Sequence, residues 1–510
     1  MSSARRIDGR TERHQSDCMQ SIIGPDGRTY LPMPQTKVTR PKDELPIGRI
    51  SSPWKVYGRT LGIVILSFMM VQFLVLGVIG LLEGDPWLAF FGGLFGLPFI
   101  ATIVFIQRPK IMDVRIATPD PEGSNYHVIS ENQTLWTPMP TSFSRHLIRD
   151  SSALDIPASR KLWSIFFALI STSILISIGL WLEIGGAIML IVAVGIGIPF
   201  FILGFSIPVM GWWAISRERL GLLTRERDAE TWLFLGMMSA FPAILINSYL
   251  FPGIIQSLGI EMTDEALMSW SAIISAPLGE EICKGIAVAV FYGSMNSGKR
   301  GFQIGFTVGL GFALIENLQY ILISFGGGFT GFALTSLIRG IGSIPGHALW
   351  TGITGFSIGV LASKNNKKLM IDEDKEKNPV WKLFDPNTGN EITNNSISTN
   401  KATLTPIDEQ PHDWHTLSNN QSIPKMQERE GGIRPPSNVS FALLTAIFGH
   451  ALWNGTAVGV AWFSITLTQS EGISVIASLI TNIVMVVSVL GIGNMILNGV
   501  AKEDKSIFSH

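Results

Sequence analysis

Two copies of the pentapeptide Gly-His-Ala-Leu-Trp lie inside long apolar stretches of the chain, at residues 346–350 and 449–453. Each copy carries one histidine, His347 or His450, and an ionisable residue at bilayer depth is by default a candidate functional residue. Four more ionisable residues lie in the same half of the chain, within Gly-Glu-Glu-Ile-Cys-Lys-Gly and Gly-Phe-Ala-Leu-Ile-Glu-Asn: Glu280, Glu281, Lys284 and Glu316. Together these residue types indicate a metal-dependent active site inside a membrane.

The cost of burying these charges limits how they can be arranged. Glu280, Glu281, Lys284 and Glu316 would together cost roughly 10 to 14 kcal/mol if each were unpaired in lipid. Lys284 follows Glu281 by three residues and Glu280 by four, so all three lie on one helical face. We therefore expect Lys284 to neutralise one glutamate and to leave the other free for catalysis.

A second set of side chains has the composition of a zinc site. Counted at about 1.5 Å per residue from the predicted cytoplasmic ends, Glu316, His347 and His450 lie at nearly one depth, about 17 to 22 Å. A catalytic zinc keeps three nitrogen or oxygen ligands and one exchangeable water. Glu280 or Glu281 would then take a proton from that water and pass it to a leaving amine, which is peptide hydrolysis. The sequence does not decide which glutamate is the base.

Polar neighbours can support this site. Asn454 follows His450 by four residues and Thr351 follows His347 by four, so each can orient a ligand or a substrate carbonyl from the same helical face. We therefore include Asn454 among the predicted catalytic residues. Arg339 has two interpretations: it is either an interfacial residue or, if the stretch around it is re-entrant, a group that binds a substrate carboxylate or an oxyanion.

The elements that position these residues are predicted to be membrane helices. The chain is 46% hydrophobic and 15% charged, which is typical of an all-α, polytopic membrane protein. Its charges lie in the termini and loops, so no nucleic-acid partner is expected. The two cysteines, Cys18 and Cys283, argue against a disulfide scaffold or a thiolate zinc site. The polar N-terminal region shows no removable signal peptide.

About ten stretches are long enough to cross a bilayer. Basic and non-basic residues alternate between their ends, which predicts a multi-pass protein of the cell membrane with both termini in the cytoplasm. Short motifs rich in Pro, Asp and Gly, at 119–123 and 385–389, predict turns or hairpins in two cytoplasmic inserts. The predicted spans are 60–82, 86–106, 162–183, 186–215, 231–257, 267–293, 302–325, 340–362, 439–467 and 473–499.

These spans group into four regions. A polar tail comes first and is followed by a membrane region of four helices, then by a membrane core with the candidate site, and then by a last span with a short tail. The boundaries are 1–56, 57–230 with the insert 107–161, 231–470 with the insert 363–438, and 471–510.

The order of the motifs resembles the PrsW family of intramembrane proteases. That family belongs to a superfamily with the type II CAAX-prenyl endopeptidases and with bacteriocin-processing or immunity proteins. Its patterns E-E-x-x-K, F-x-x-x-E and H-x-x-x-D are similar to the segments that begin at Glu280, Phe312 and His450. Asn454 stands where the PrsW pattern has aspartate, and asparagine there is usual in the CAAX-type branch.

The resemblance extends over residues 230–470 and includes two longer matches. Residues 311–320 resemble the family's G-F-A-x-x-E-N-x-x-Y, and Arg339 followed by His347 resembles its arginine and His-Ala segment. The resemblance implies site-specific cleavage of a membrane-embedded or membrane-anchored protein substrate at the bilayer, with zinc as the expected cofactor.

Two other functions remain open on the sequence. Glutamate, histidine and lysine at mid-membrane also occur in proton- or cation-coupled transporters. Transporters often consist of two inverted halves with broken helices in corresponding positions. In this chain the ionisable residues cluster in the C-terminal half, which argues against a transporter. A membrane scaffold that does not cleave its partner is the other alternative, and the presence of the expected glutamates and histidines argues against it.

Overall fold

The structure, a computed structural model, describes residues 22–23, 29–30, 52–108, 111–130, 133–149, 153–184, 186–376 and 431–503. Its contacts divide the chain into two units, residues 1–49 with 110–150 and residues 50–109 with 151–510. Within the described residues, the named strands lie in the first unit and the helices in the second.

The first unit contains two antiparallel strand pairs, β1 with β2 and β3 with β4. Alternating β-branched and polar residues favour the longer pair, and its register begins with Ile111 opposite Arg149 and ends with Ser130 opposite Gln133. The strands are β1 (Ile22–Ile23), β2 (Thr29–Tyr30), β3 (Ile111–Ser130) and β4 (Gln133–Arg149).

The ladder of β3 and β4 confirms a hairpin in the first predicted insert. The motif at 119–123, which predicted a turn or hairpin, lies within β3, where the register shifts between Pro119 and Ser124 and the pairing then continues. Extra residues on one strand are accommodated as a bulge, which turn-forming residues also favour. The turn predicted at 385–389 lies outside the described residues.

The second unit is a bundle of helices, so the all-α prediction for the membrane region is confirmed. Three short π-helical segments interrupt or join these helices at Ile246–Leu250, Ser271–Ser275 and Arg339–Ser343. The helices are α1 (Pro53–Glu83), α2 (Pro86–Ile106), α3 (Ser159–Trp181), α4 (Gly186–Leu220), α5 (Glu226–Leu245), α6 (Phe251–Ser257), α7 (Asp264–Trp270), α8 (Ala276–Ala289), α9 (Gly298–Ser324), α10 (Gly328–Ile338), α11 (Ile344–Glu376), α12 (Val439–Thr468) and α13 (Glu471–Ala501).

Among the described residues, eight helical runs are long and apolar enough to cross a membrane. One of these runs, Gly298–Asn365, contains two of the predicted spans. The predicted span at 267–293 is not among the eight; its helical part, α7 to α8, carries Glu280, Glu281 and Lys284. The count of about ten and the cytoplasmic placement of both termini therefore stay predictions.

Local chemistry explains where several of these helices begin. Asp85 accepts hydrogen bonds from the backbone of Trp87 and Leu88, and Pro86 starts α2 without needing a backbone donor. Ser297 caps α9 and Asn438 caps α12 in the same way. Side-chain caps thus set the starts of the two helices that carry Glu316 and His450.

A seam of glycines brings the backbones of α9 and α11 into contact. Gly301 lies against the Gly355 carbonyl, Gly305 against the Thr351 carbonyl and Gly309 against the His347 carbonyl, with no room for a side chain. Small residues permit such close helix packing in membranes. We call this contact the glycine seam, and it fixes the backbone of His347 relative to α9.

The other side of the site is packed less closely. A cavity of about 620 Å³ lies among α11, α12 and α13, and its lining includes Trp350, Phe448, Gly449 and Trp453. On α12 the cavity-facing residues occur at helical spacing, while His450 lies on the same helix and is buried. Helix α12 and the Trp350 side chain of α11 therefore lie between His450 and this cavity.

Candidate functional site

The ionisable residues predicted from the sequence meet in one buried cluster. Helix α8 supplies Glu280, Glu281 and Lys284, and α11 and α12 supply His347 and His450. The two imidazole rings lie 4.8 Å apart between centroids and are nearly perpendicular, at 85°. The two copies of Gly-His-Ala-Leu-Trp therefore place their histidines side by side.

Glu281 has its charge compensated within this cluster. Lys284 Nζ donates to Glu281 Oε1 at 2.6 Å, and His450 Nδ1 lies 3.1 Å from the same oxygen. Thr351 Oγ1 donates to the other oxygen, Oε2, at 3.4 Å. The predicted pairing of Lys284 with one glutamate is present, and Glu281 is the paired one.

Glu280 is the less satisfied carboxylate. Its Oε1 accepts from Asn247 Nδ2 at 3.5 Å, a long hydrogen bond. Among the described residues, its Oε2 is buried without a hydrogen-bond partner; Lys284 Nζ lies 3.5 Å and His450 Nε2 3.9 Å away. A buried carboxylate oxygen without a partner is costly, and a bound ion or a reactant would satisfy it.

Glu316 lies on α9 against His347. Its Oε2 is 2.7 Å from His347 Nε2 and 2.9 Å from a terminal nitrogen of Arg339. Arg339 also donates through Nε to Asn317 and stacks its guanidinium over Tyr320 at 3.9 Å. Of the two interpretations of Arg339, the structure therefore shows the one in which the side chain points toward the site.

His347 has a partner at each ring nitrogen. Lys284 Nζ lies 3.0 Å from Nδ1, so with the lysine as donor the imidazole proton resides on Nε2, which lies 2.7 Å from Glu316 Oε2. A metal ligand needs a nitrogen lone pair, so binding a metal through Nε2 would require that proton to leave.

Aromatic rings enclose the cluster. Trp350 stacks on the His450 ring at 4.7 Å and 14°. Phe312 lies 5.5 Å from the His347 ring, and Lys284 Nζ is 4.1 Å from the centre of the same phenyl ring. These contacts exclude water from the back of both histidines and strengthen the electrostatic interactions among the charged groups.

The donor atoms fit a metal ion. Among the residues that the structure describes, Glu280, His347 and His450 can each offer one ligand atom within 4.8 Å of the others. One carboxylate and two imidazoles form a donor set suited to zinc. Among the described residues, Glu280 Oε2 and Glu316 Oε2 are both buried without a hydrogen-bond partner, which is a further sign that an ion fits here. The sequence-based ligand set had Glu316 in place of Glu280. The structure places Glu316 beside His347 and Arg339.

Asn454 makes a contact that the sequence did not indicate. Its Nδ2 donates to the Ala272 carbonyl at 2.8 Å, in the π-helical segment before α8. This bond fixes α12 against that segment. The expected role of Asn454 in orienting a ligand or a substrate carbonyl stays a prediction.

The sequence reasoning missed Asn247, Ser275 and Asn317 as supporting residues. Asn247 and Ser275 hydrogen-bond to each other at 2.9 Å next to Glu280. The sequence did offer one signal for Asn247, because a single asparagine inside an apolar helix usually forms a hydrogen bond to another helix. Asn317 lies within the matched segment 311–320 and was not assigned a role there.

The fold and the site define a multi-pass membrane protein with a carboxylate and imidazole cluster buried among its helices. Residues 231–371 match the family model described as PrsW family intramembrane metalloprotease. The predicted resemblance to the PrsW family is thus confirmed over these residues, which include every member of the cluster except His450. No curated protein and no solved structure matched the chain.

Proposed function

We propose that the protein is an intramembrane, metal-dependent endopeptidase that cleaves a membrane-embedded or membrane-anchored protein. The observation that carries this proposal is the convergence of Glu280, His347 and His450 beside the Lys284–Glu281 ion pair. The family match supports a metalloprotease of the bilayer.

The ligands in this proposal are Glu280, His347 and His450. Zinc bound by these residues would act as a Lewis acid that polarises the substrate carbonyl and activates water. Glu281 holds Nδ1 of His450, in the way that carboxylates commonly orient a metal-binding imidazole.

Glu316 is the proton acceptor in this proposal. The sequence favoured Glu280 or Glu281 as the base, but in this proposal Glu281 holds the ligand His450 and Glu280 is itself a ligand. Glu316 is also ion-paired, with Arg339, but has neither of these roles. Its side chain is 21% exposed, compared with 9% for Glu280 and 1% for Glu281, so it is the most open of the three carboxylates although its Oε2 is buried. The Arg339 guanidinium compensates the negative charge of Glu316 until Glu316 accepts the proton from water.

The first experiment identifies a substrate and tests for cleavage. Membrane proteomes of cells with and without the intact chain are compared for one membrane protein that is shortened only when the chain is present. Purified Glu316→Gln should then cleave that substrate on the order of 10²-fold more slowly. Glu471→Gln, at the start of α13 and away from the cluster, is the matched control and should cleave normally.

Metal content tests the ligand assignment. The wild type should hold about one zinc per chain, whereas Glu280→Gln and His450→Ala should lose it and Glu316→Gln should retain it. Loss of zinc from Glu316→Gln with retention in Glu280→Gln would instead support the ligand set expected from the sequence. If well-folded Glu280→Gln and Glu316→Gln both cleave normally while proton-coupled uptake collapses, the cluster serves transport, and the proposal that it carries out the cleavage is wrong.

A further inference from the structure

We propose that Asn247 is a positioning residue that fixes the orientation of the Glu280 carboxylate. Asn247 lies in the π-helical segment Ile246–Leu250, which follows α5. A π-helical turn adds one residue to the helix and so changes the direction of the side chains around it. Here that segment presents an amide to the carboxylate of α8.

Hydrogen bonds determine which end of the amide faces Glu280. Ser275 Oγ donates to Asn247 Oδ1 at 2.9 Å, and Ser271 Oγ donates to the Asn247 main-chain oxygen at 3.1 Å. Because Oδ1 is occupied as an acceptor, the amide NH₂ is the group left to face Glu280 Oε1, at 3.5 Å. Both serines lie in the second π-helical segment, Ser271–Ser275.

Because of this contact, the two oxygens of Glu280 have different neighbours. With Oε1 held by Asn247, Oε2 is directed toward His450 Nε2, at 3.9 Å. Gly279, the residue before Glu280, permits the contact because a Cβ there would collide with Ile246 and crowd Asn247. The close approach of α8 to the segment that carries Asn247 therefore helps to orient the Glu280 carboxylate.

The inference rests on the proposed function for its kinetic consequence, although not for the contact itself. Asn247 contacts the candidate ligand Glu280, so the proposed role is exerted through Glu280. Losing such a supporting hydrogen bond typically lowers metal affinity or activity about 10- to 100-fold. Asn247→Ala should therefore lower zinc affinity and kcat by that factor and leave KM unchanged.

Substitutions of different chemistry separate positioning from packing. Asn247→Asp keeps the size and the bond from Ser275 but places a second carboxylate oxygen against Glu280 Oε1, so it should impair zinc binding at least as much as Asn247→Ala. Ser275→Ala should give a partial loss, and Ser275→Thr, which keeps the hydroxyl, should restore wild-type values. Asn482→Ala is the matched control, because within the part of the chain that the structure describes Asn482 donates to the Ser478 carbonyl of its own helix, α13, at 2.8 Å and to no other helix.

A chemical readout tests the contact without depending on cleavage or on metal. The metal-free chain in detergent is treated with dicyclohexylcarbodiimide, which modifies carboxyl groups in apolar surroundings, and adduct formation at Glu280 is followed by mass spectrometry. Asn247→Ala should change the rate of modification of Glu280, and Asn482→Ala should leave it as in the wild type.

Three outcomes decide the matter. Unchanged Glu280 modification, zinc affinity and kcat in both Asn247 variants would overturn the inference. If Asn247→Ala does not fold, the comparison of Ser275→Ala with Ser275→Thr gives the answer, and equal values for those two would also overturn it. Normal cleavage by Glu280→Gln would instead refute the assignment of Glu280 as a metal ligand in the proposed function, while the carbodiimide result would still decide whether Asn247 orients Glu280.

Discussion

Lys284 is the residue on which the charge balance of the site depends. Its side chain is fully buried, it forms a 2.6 Å ion pair with Glu281, and it lies 3.0 Å from His347 Nδ1. A buried ion pair adds little net stability, but removing one partner leaves an uncompensated charge in a medium of low dielectric constant. Lys284 is therefore more important to the folded state than its contribution to any single bond suggests.

Replacing this lysine should destabilise the protein, and removing the charge that it compensates should restore stability. Lys284→Met should lower the free energy of unfolding by about 3 to 5 kcal/mol, which the thermal midpoint in detergent would report. Adding Glu281→Gln to that variant should recover most of the midpoint without recovering cleavage. Lys502→Met, at an exposed lysine, is the control. A midpoint for Lys284→Met equal to that of the wild type would contradict the assigned role.

The residues of the site could be predicted from the sequence better than their contacts. Spacing on one helix predicted that Lys284 pairs with a glutamate, and the structure shows the pair with Glu281. The sequence gives the depth of a residue in a helix but not the direction of its side chain relative to other helices. For that reason Glu316 was expected among the metal ligands, while the structure brings Glu280 close to both histidines.

At the scale of helices, the glycine seam between α9 and α11 determines the position of His347. Gly309 lies against the His347 carbonyl, and a Cβ there would also come within 2.8 Å of the Ala348 Cα. These contacts are with backbone atoms, which no rotamer change can move. An added methyl group must therefore push the two helices apart.

Gly309→Ala should shift His347 away from Glu316 and Lys284. We expect a loss of about 1 to 3 kcal/mol in stability, as is usual for overpacking, together with a fall in cleavage and in zinc affinity. Thermal unfolding and metal titration would measure these effects. Gly459→Ala is a suitable comparison because, among the described residues and apart from its own stretch of α12, no atom lies within 4 Å of a Cβ at that position. Wild-type zinc affinity in Gly309→Ala would show that the seam does not determine the site.

The helices themselves were largely visible in the sequence, but their π-helical interruptions were not. Apolar length predicts a membrane helix directly. A residue inserted into a helix does not change how the length of an apolar stretch is read. The π-helical segments that carry Asn247 and Arg339 were therefore not expected. The hairpin of β3 and β4 was expected, but its turn was not, because Pro, Asp and Gly also favour a bulge.

For the whole molecule, the orientation of the chain across the membrane is the main prediction still to be tested. Single cysteines at Leu147 and Ile433, both exposed, lie in or next to the two predicted cytoplasmic inserts. They should resist an impermeant thiol reagent in intact cells and react after lysis. A cysteine at Gln469, between α12 and α13, should react in intact cells. Labelling of the first two positions in intact cells would contradict the predicted topology.

The two histidines of the site are held with unequal firmness. His347 belongs to the glycine seam, where two backbones touch and no side chain can rearrange between them. His450 lies on a helix with the 620 Å³ cavity along its other side. Collective helix motions in proteins occur over microseconds to milliseconds, and the cavity leaves more room for such motion at α12 than the seam leaves between α9 and α11. The separation of the two imidazoles therefore depends chiefly on where α12 lies relative to the backbone of His347.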